Sequence, residues 1–493
     1  MDFNQLHLLV QSLTKSEKRY FRLSISLQQG DKAYLRLFDC LEQYVQFNEK
    51  IKTEVADLFP GATLEPARKH LYHVLMKSLR QYEADKSIEV RLMNLIQDSQ
   101  ILYNRGLICA SFEELEKAKR LAMKHEKFIF YILAARQELQ FILRQHFIKW
   151  DESKLIEKQE KIRELLEHEC TVQQHASLYE VLLLRYWKMG VVRSLRETVR
   201  LNDLLLEEHQ VLNTQRLNSF ESQQLHLHFQ SAYFLMTGDA QGSLSVLYEL
   251  DNLFQNNTEL WLDKPVYYNH VLNNILETLR RTEQYDKMEY FLGRLESLST
   301  PSEGHRLSIK YQVLEHRLHS AVNQGFHHQA LIIFNQENQG LERDLPNLPL
   351  QIEVQLRLTI ARIHYYLCDY SQALLCINHI LNQPTSSLSS LLYISCRLMK
   401  LMIHVALDDR DYLFYEIRSI ERKLKGGKAW YRVEQLFLTL LKKWLKYKPL
   451  KSVAAQSLQL LDDSYERQLM LELGIKDWFQ EMSDNNGLSR IMK

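Results

Sequence analysis

At 493 residues the chain exceeds one ordinary compact domain, so either several domains or an extended repeat is expected. Hydrophobic residues at 45% and charged residues at 25% exclude a disordered chain, and only 14 glycines and 8 prolines exclude turn-rich sheets, sandwiches and Gly-rich loop enzymes. Leu, Gln, Glu, Lys and Arg dominate, which points to an all-α protein, and a net charge of +1 gives no global field to attract nucleic acid or an anionic membrane.

No stretch reaches about 18 uninterrupted apolar residues, so no transmembrane span is expected. The opening Met1-Asp2-Phe3-Asn4-Gln5 lacks the basic start and apolar core of a secretory signal. Cys40, Cys109, Cys170, Cys368, Cys376 and Cys396 form no CxxC pair, and most sit in apolar helical patterns. Reduced core thiols of a cytoplasmic protein are the expectation.

Residues 1–88 are read as an N-terminal helical cap. "SLTKSEKRYFRLSISLQ" carries a capping box, Thr14 with Glu17, at the start of a helix, and Asp31 is placed to cap the next. "KTEVADLFPGATLEPARKHLYHVLMKSLRQY" predicts a short helix, a Pro-Gly turn and a long helix with Pro66 in its first turn. Helix–turn–helix order and a partly basic face (Arg68, Lys69, His70, His73, Lys77, Arg80) raise nucleic-acid binding, but Glu49, Glu54, Asp57, Glu65 and Glu83 surround that face. A solvated face of the cap is favoured, and nucleic acid is not the expected partner.

Residues 89–475 repeat one plan: an apolar-periodic helix, a short polar turn, a second helix. Turns are predicted at Gly106, at the degenerate Lys149-Trp150-Asp151, at Gly190, at Gly238-Asp239, and at Glu283-Gln284 before Tyr285. They continue at Gly325-Phe326 before Ala330, at Cys368-Asp369-Tyr370-Ser371 before Ala373, near Arg410-Asp411 before Tyr412, and at Lys448-Pro449. From Gly106 to Arg410 the turns recur roughly every 42 to 48 residues, the range of helical repeat arrays, with about 18 residues per helix. Asp369 or Ser371 is placed to cap the helix that follows it. Residues 476–493 form a polar tail.

This pattern resembles the tetratricopeptide family in Ala361, Asp369, Tyr370 and Ala373, with Cys368 where the family has a turn glycine. Gly238-Asp239 keeps the Gly-Asp pair, with Ala240 and Ser243 in place of Tyr and Ala, and Gly325 and Ala330 match with His327 in place of Tyr. The N-terminal opening is similar to that of uncharacterised helical-repeat proteins of Bacteroidetes bacteria. The resemblance implies a right-handed tetratricopeptide-like solenoid of about 8–9 long helix pairs. It also implies that the first helix of each pair lines a concave groove that holds a protein or peptide. Mapped from the turns, Asn273, Asn274, Glu277, Arg280, Glu315, His319, Gln355, Arg362, Tyr366, Arg397, Lys400 and His404 would face that groove, with Glu180 and His228. Asn suits a peptide backbone, and Arg or Lys suits a carboxylate.

Catalytic and metal motifs are absent: there is no HExxH, no Walker loop, no GxSxG, and no GxGxxG after a strand. Gly426-Gly427 in "KLKGGKAW" reads as an inter-helix connection. His316 and His319 share a helix face without a completing ligand set. No cofactor and no enzymatic activity are expected. Arg418 to Lys451 is strongly basic around an apolar stripe from Trp430 to Leu445. The stripe is read as repeat stacking, and Lys442, Lys443, Lys446 and Lys448 as a secondary docking patch. The leading expectation is a non-enzymatic scaffold that binds a protein or peptide. The alternative is a regulator with an N-terminal output or nucleic-acid-binding module and a repeat sensor.

Overall fold

The computed structural model describes residues 2–26, 33–44, 49–59, 63–84, 87–148, 150–190, 192, 195–214, 219–300, 302–337, 340–345, 348–384, 388, 390–425 and 432–446, then positions 459, 463, 466, 467, 470, 474–476, 478 and 479. Among the described residues every regular element is a helix. They fall into two compact units, residues 1–169 with 300–306, and residues 170–299 with 307–493.

In the first unit α1 (Phe3–Ser12), α2 (Lys15–Ser26), α3 (Ala33–Gln43), α4 (Glu49–Leu58) and α5 (Leu64–Glu83) share a core that includes Leu6, Val10, Phe21, Leu37, Phe38, Leu71 and Leu75. The capping box before α2 forms: the Glu17 carboxylate accepts from the Thr14 N–H at 2.7 Å, and the Thr14 hydroxyl accepts from the Glu17 N–H at 3.2 Å. A second core, with Leu92, Leu115, Ala118, Ala122, Ala134 and Phe141, joins α6 (Ile88–Asn104), α7 (Ile108–Lys124) and α8 (Phe128–Arg144).

The chain continues through α9 (Glu152–Met189), α10 (Leu195–Thr214), α11 (Phe220–Met236), α12 (Ala240–Asn256), α13 (Thr258–Trp261), α14 (Val266–Arg281), α15 (Met288–Glu296) and α16 (Glu303–Asn323). Then come α17 (His327–Glu337), α18 (Leu341–Asp344), α19 (Leu350–Tyr366), α20 (Tyr370–Leu381), α21 (Ser390–Ala406), α22 (Arg410–Lys425) and α23 (Arg432–Leu445). From α11 on, neighbours in the chain pack on one another, α11 on α12, α12 on α14, α19 on α20 and α20 on α21.

One turn geometry recurs through both units. After α6, α7, α11, α14, α16, α19 and α21 a single residue takes a left-handed conformation: Gly106, Glu126, Gly238, Glu283, Gly325, Cys368 and Asp408. The next residue's N–H then reaches back to the carbonyl five positions earlier, as in Leu107 to Leu102, Gln284 to Leu279, Asp369 to His364 and Asp409 to His404. This paired closure satisfies the helix's last carbonyls and reverses the chain within a few residues. An aspartate often follows as the cap of the next helix. Asp239 accepts from Gly242 N–H at 2.8 Å, Asp369 from Gln372 N–H at 3.3 Å and Asp409 from Tyr412 N–H at 3.1 Å. Of the two candidates at the α19–α20 turn, Asp369 is the cap, and the Ser371 hydroxyl donates to it at 2.9 Å.

Small residues meet across the hairpins in a fixed register. Ala361 and Ala373 are fully buried. At the same spacing the Ser111 hydroxyl donates to the Ser99 carbonyl, and Ser243 to that of Ser231, both at 2.9 Å. Serine therefore fills the small-residue position while satisfying its own hydroxyl.

Two expectations change. Residues 152–189 form one helix of 38 residues, not two of about 18, because no Gly or Pro interrupts the pattern there. Near residue 410 the left-handed residue is Asp408, and Arg410 and Asp411 already belong to α22. Asp31, Gly426-Gly427 and Lys448-Pro449 lie outside the described residues.

The left-handed positions yield a test. Gly325→Ala should lower stability by about 1–2 kcal/mol, and Cys368→Gly should raise it by about 1 kcal/mol, because only glycine takes this conformation without a Cβ penalty. Urea unfolding midpoints would show the opposite signs.

Candidate functional site

The C-terminal halves of α14, α16 and α19 carry aligned polar stripes on faces that an ordinary core would make apolar. On α16 the stripe is Gln312, Glu315, His316, His319 and Asn323, at helical steps of three and four. Tyr311, Leu314, Leu318 and Val322 fill another face of the same helix, so α16 is buried on both sides.

His319 joins the three helices. Its Nε2 lies 2.7 Å from Arg362 Nη1, its Nδ1 lies 3.1 Å from Glu315 Oε1, and Arg280 Nη1 contacts both ring nitrogens. A guanidinium has only donors, so Arg362 on Nε2 requires a lone pair there. The ring is therefore neutral, with Nδ1–H donating to Glu315. Burial and then the Arg280 charge hold the His319 pKa down to about 3. Glu315 is itself buried, yet the His319 hydrogen bond, His316 and Arg280 hold its carboxyl well below the usual carboxylate range. Thr359 donates to Glu315 at 3.4 Å, and Arg362 Nη2 donates to Asn323 at 3.0 Å.

One helical turn away the stripes enclose a cavity of about 90 Å³, lined by Asn273, Glu277, Arg280, Gln312, Glu315, His316, Ile352 and Gln355. Asn273 donates to Gln312 at 3.2 Å and accepts from His316 Nε2 at 3.1 Å. That bond places a proton on His316 Nε2, while Nδ1, buried and 3.7 Å from Glu315 Oε2, has no hydrogen-bond partner among the described residues. Glu277 accepts from Arg281 at 2.8 Å; burial opposes its ionisation, but Arg281 and Arg280 hold its carboxyl below the ordinary range. The cavity thus presents donors and acceptors together, the requirement for a peptide unit.

Of the residues mapped from the sequence, Asn273, Glu277, Arg280, Glu315 and Gln355 line this cavity, and His319 and Arg362 form the relay beside it. The mapped residues do not all converge. Asn274 is exposed and does not line the cavity. Tyr366 stacks on His327 at 4.2 Å between ring centroids. Arg397 donates to Glu416 and Ser419 of α22, His404 stacks on Tyr412 at 3.8 Å, and Lys400 sits over the same ring. These three secure their own hairpin. Glu180 is exposed, and His228 stacks on Tyr179 at 5.5 Å.

Gln312, His316, Arg281 and Asn323 were not among the mapped residues. The signal that finds them is the unbroken polar stripe on a helix whose neighbouring faces are apolar.

In the basic segment Val433, Phe437, Leu440, Leu441 and Trp444 enter the core, as the stacking reading requires. Lys442 pairs with Glu421, Lys446 is exposed, Lys443 is half-buried, and Lys448 and Trp430 lie outside the described residues. On α5, Arg68 and Lys69 both pair with Glu65, and His70 packs edge-on against Tyr34. No described helix is long and apolar enough to cross a membrane. Comparisons with protein-family models, curated proteins and solved structures found no match.

The neutral imidazoles set a pH dependence. His228, held down to about 4 by burial and then His270, and His319 both refuse protons that the unfolded chain takes up near 6.5. Their folded pKa values lie below the unfolded one, so stability is highest above about pH 6.5 and falls as pH drops toward 4. At pH 5 the loss is about 2 kcal/mol for one such histidine. Urea midpoints measured from pH 7.5 to 5 should fall accordingly, and His319→Gln should flatten the slope.

Proposed function

We propose that the chain is a non-enzymatic, tetratricopeptide-like scaffold of the cytoplasm whose concave face holds an extended protein segment. In this reading the helix pairs form a right-handed solenoid, and the polar stripes of α14, α16 and α19 lie on its inner surface. The repeated left-handed turns and the buried small-residue register support the repeat reading. The observation that carries the binding reading is the cavity at Asn273, Gln312, His316 and Gln355. It is polar, adjoins charges that already have partners, and contains a buried imidazole nitrogen with no hydrogen-bond partner among the described residues. A backbone N–H would satisfy His316 Nδ1, and the adjacent amides and Arg280 would receive the carbonyl. Arg280, Arg281 and Arg362 outnumber Glu277 and Glu315, which favours an electron-rich ligand group.

Peptides selected on the full chain from a displayed random library test this reading. Binding should weaken at least tenfold in the double variant Gln312→Ala, Gln355→Ala. It should persist in Lys442→Ala, Lys443→Ala, neither of which lines the cavity. Selected peptides indifferent to the first variant would refute the assignment.

A further inference from the structure

Helix α22 leaves two aromatic rings in water beside a row of cations. Leu413, Ile417 and Ile420 turn inward and belong to the core shared by α16 to α23, so the opposite face of the helix is outward along its length. That face carries Phe414, 46% exposed, and Tyr415, 70% exposed. Their rings meet edge to face at 5.6 Å, and the Arg418 guanidinium lies 4.0 Å from the Phe414 ring centroid. Arg422 is exposed one turn further on. On α23, Lys442 and Lys446 are exposed at positions i and i+4, and Lys442 donates to Glu421 of α22, which sets the cations of the two helices side by side.

The charge of this face is lopsided. Arg418, Arg422, Lys442 and Lys446 stand against Glu421 and against Asp411 in the first turn of α22, while Glu416 is taken by Arg397. No ion pair joins Arg418, Arg422 or Lys446 to a described carboxylate. The chain as a whole carries a net charge of only +1, so any pull on an anion is local to this face. Four cations and two wet rings on a helix that lies flat match a surface with anions outside and an apolar layer just beneath. Phospholipid headgroups over acyl chains have that order. The tyrosine, an apolar ring with a polar tip, suits the level between them.

We propose that the α22–α23 face docks on an anionic phospholipid surface. Phe414 and Tyr415 enter at headgroup depth, and Arg418, Arg422, Lys442 and Lys446 lie over the phosphates. The rings contribute apolar burial that salt does not screen, and the cations contribute attraction that salt does. None of these six residues lines the polar cavity, so the proposal stands apart from the peptide-binding reading.

Sedimentation of the full chain with vesicles tests it. Phosphatidylcholine vesicles containing phosphatidylserine should carry the chain down about tenfold better than pure phosphatidylcholine, and added salt should reduce the difference. The double variant Arg418→Glu, Arg422→Glu should weaken partitioning about tenfold or more. Phe414→Ser with Tyr415→Ser keeps the charge and should still weaken it several-fold, at low and high salt alike. Lys442→Glu with Lys446→Glu gives an independent arm on α23, and urea midpoints identify any variant that is not folded. A wild type that ignores phosphatidylserine vesicles, or equal partitioning by wild type and all three variants, would overturn the proposal. Capture by immobilised polyglutamate without vesicle binding would also overturn it and assign the face to an acidic protein. Library peptides that depend on Gln312 and Gln355 should bind all three variants as they bind the wild type, so the two readings fail separately.

Discussion

The left-handed residue at the end of each first helix is the constraint on which the rest depends. It lets two amide hydrogens return to the last turn of the helix, so the chain reverses without leaving buried carbonyls unsatisfied. Because the reversal has the same geometry after α6, α14, α16, α19 and α21, each second helix starts at the same offset from its first. That fixed offset brings the Ser231 carbonyl to the Ser243 hydroxyl and, at the same spacing, buries Ala361 and Ala373 fully. It also aligns the polar stripes, so that Arg280, His319 and Arg362 come together although some forty residues separate each from the next.

Burial changes what these residues do. Arg362 and His319 look like solvated groove residues when placed by spacing alone. In the structure they are less than a tenth exposed and hold one another. Breaking such a contact strands a charge, so charge reversal at Arg362 would report on folding before binding. The residues free to signal a ligand are neutral ones at the cavity, Gln312 and Gln355 among them. Here the polar interior both aligns three helices and leaves His316 Nδ1 and Arg362 Nε without a hydrogen-bond partner among the described residues.

Much of this was legible in the sequence. Gly106, Gly238 and Gly325 mark their turns directly, and Cys368 was recognisable as a stand-in from the Asp-Tyr that follows it. The capping box at Thr14 and Glu17 and the burial of the stripe on α23 also follow from pattern. Other features were hidden for physical reasons. Ser99–Ser111 and Ser231–Ser243 perform the task of alanine pairs, and a search by residue identity passes over them. α9 joins two expected helices because a turn needs a breaking residue, and residues 152–189 contain neither Gly nor Pro. The pairing of Arg467 and Lys476 with Glu283 carries no local signal, since it is set only once the helices are stacked. Arg397 and His404 have the right periodicity for the cavity, yet Glu416 and Tyr412 on the neighbouring helix claim them first.

The hairpin tips form a row of their own. A Cβ at Gly106 or Gly325 meets nothing within 4 Å among the described residues, and both are exposed, so the left-handed position points outward from the pair it closes. Where the residue is not glycine, the chain displays Glu126, Glu283, Cys368 or Asp408 there. Such tips resemble the teeth of a key blank: each can be recut without loosening the core behind it, at a backbone cost of about 1 kcal/mol. Glu283 is one that has been cut: it accepts from Arg467 at 3.0 Å and from Lys476 at 2.8 Å, nearly two hundred positions along the chain.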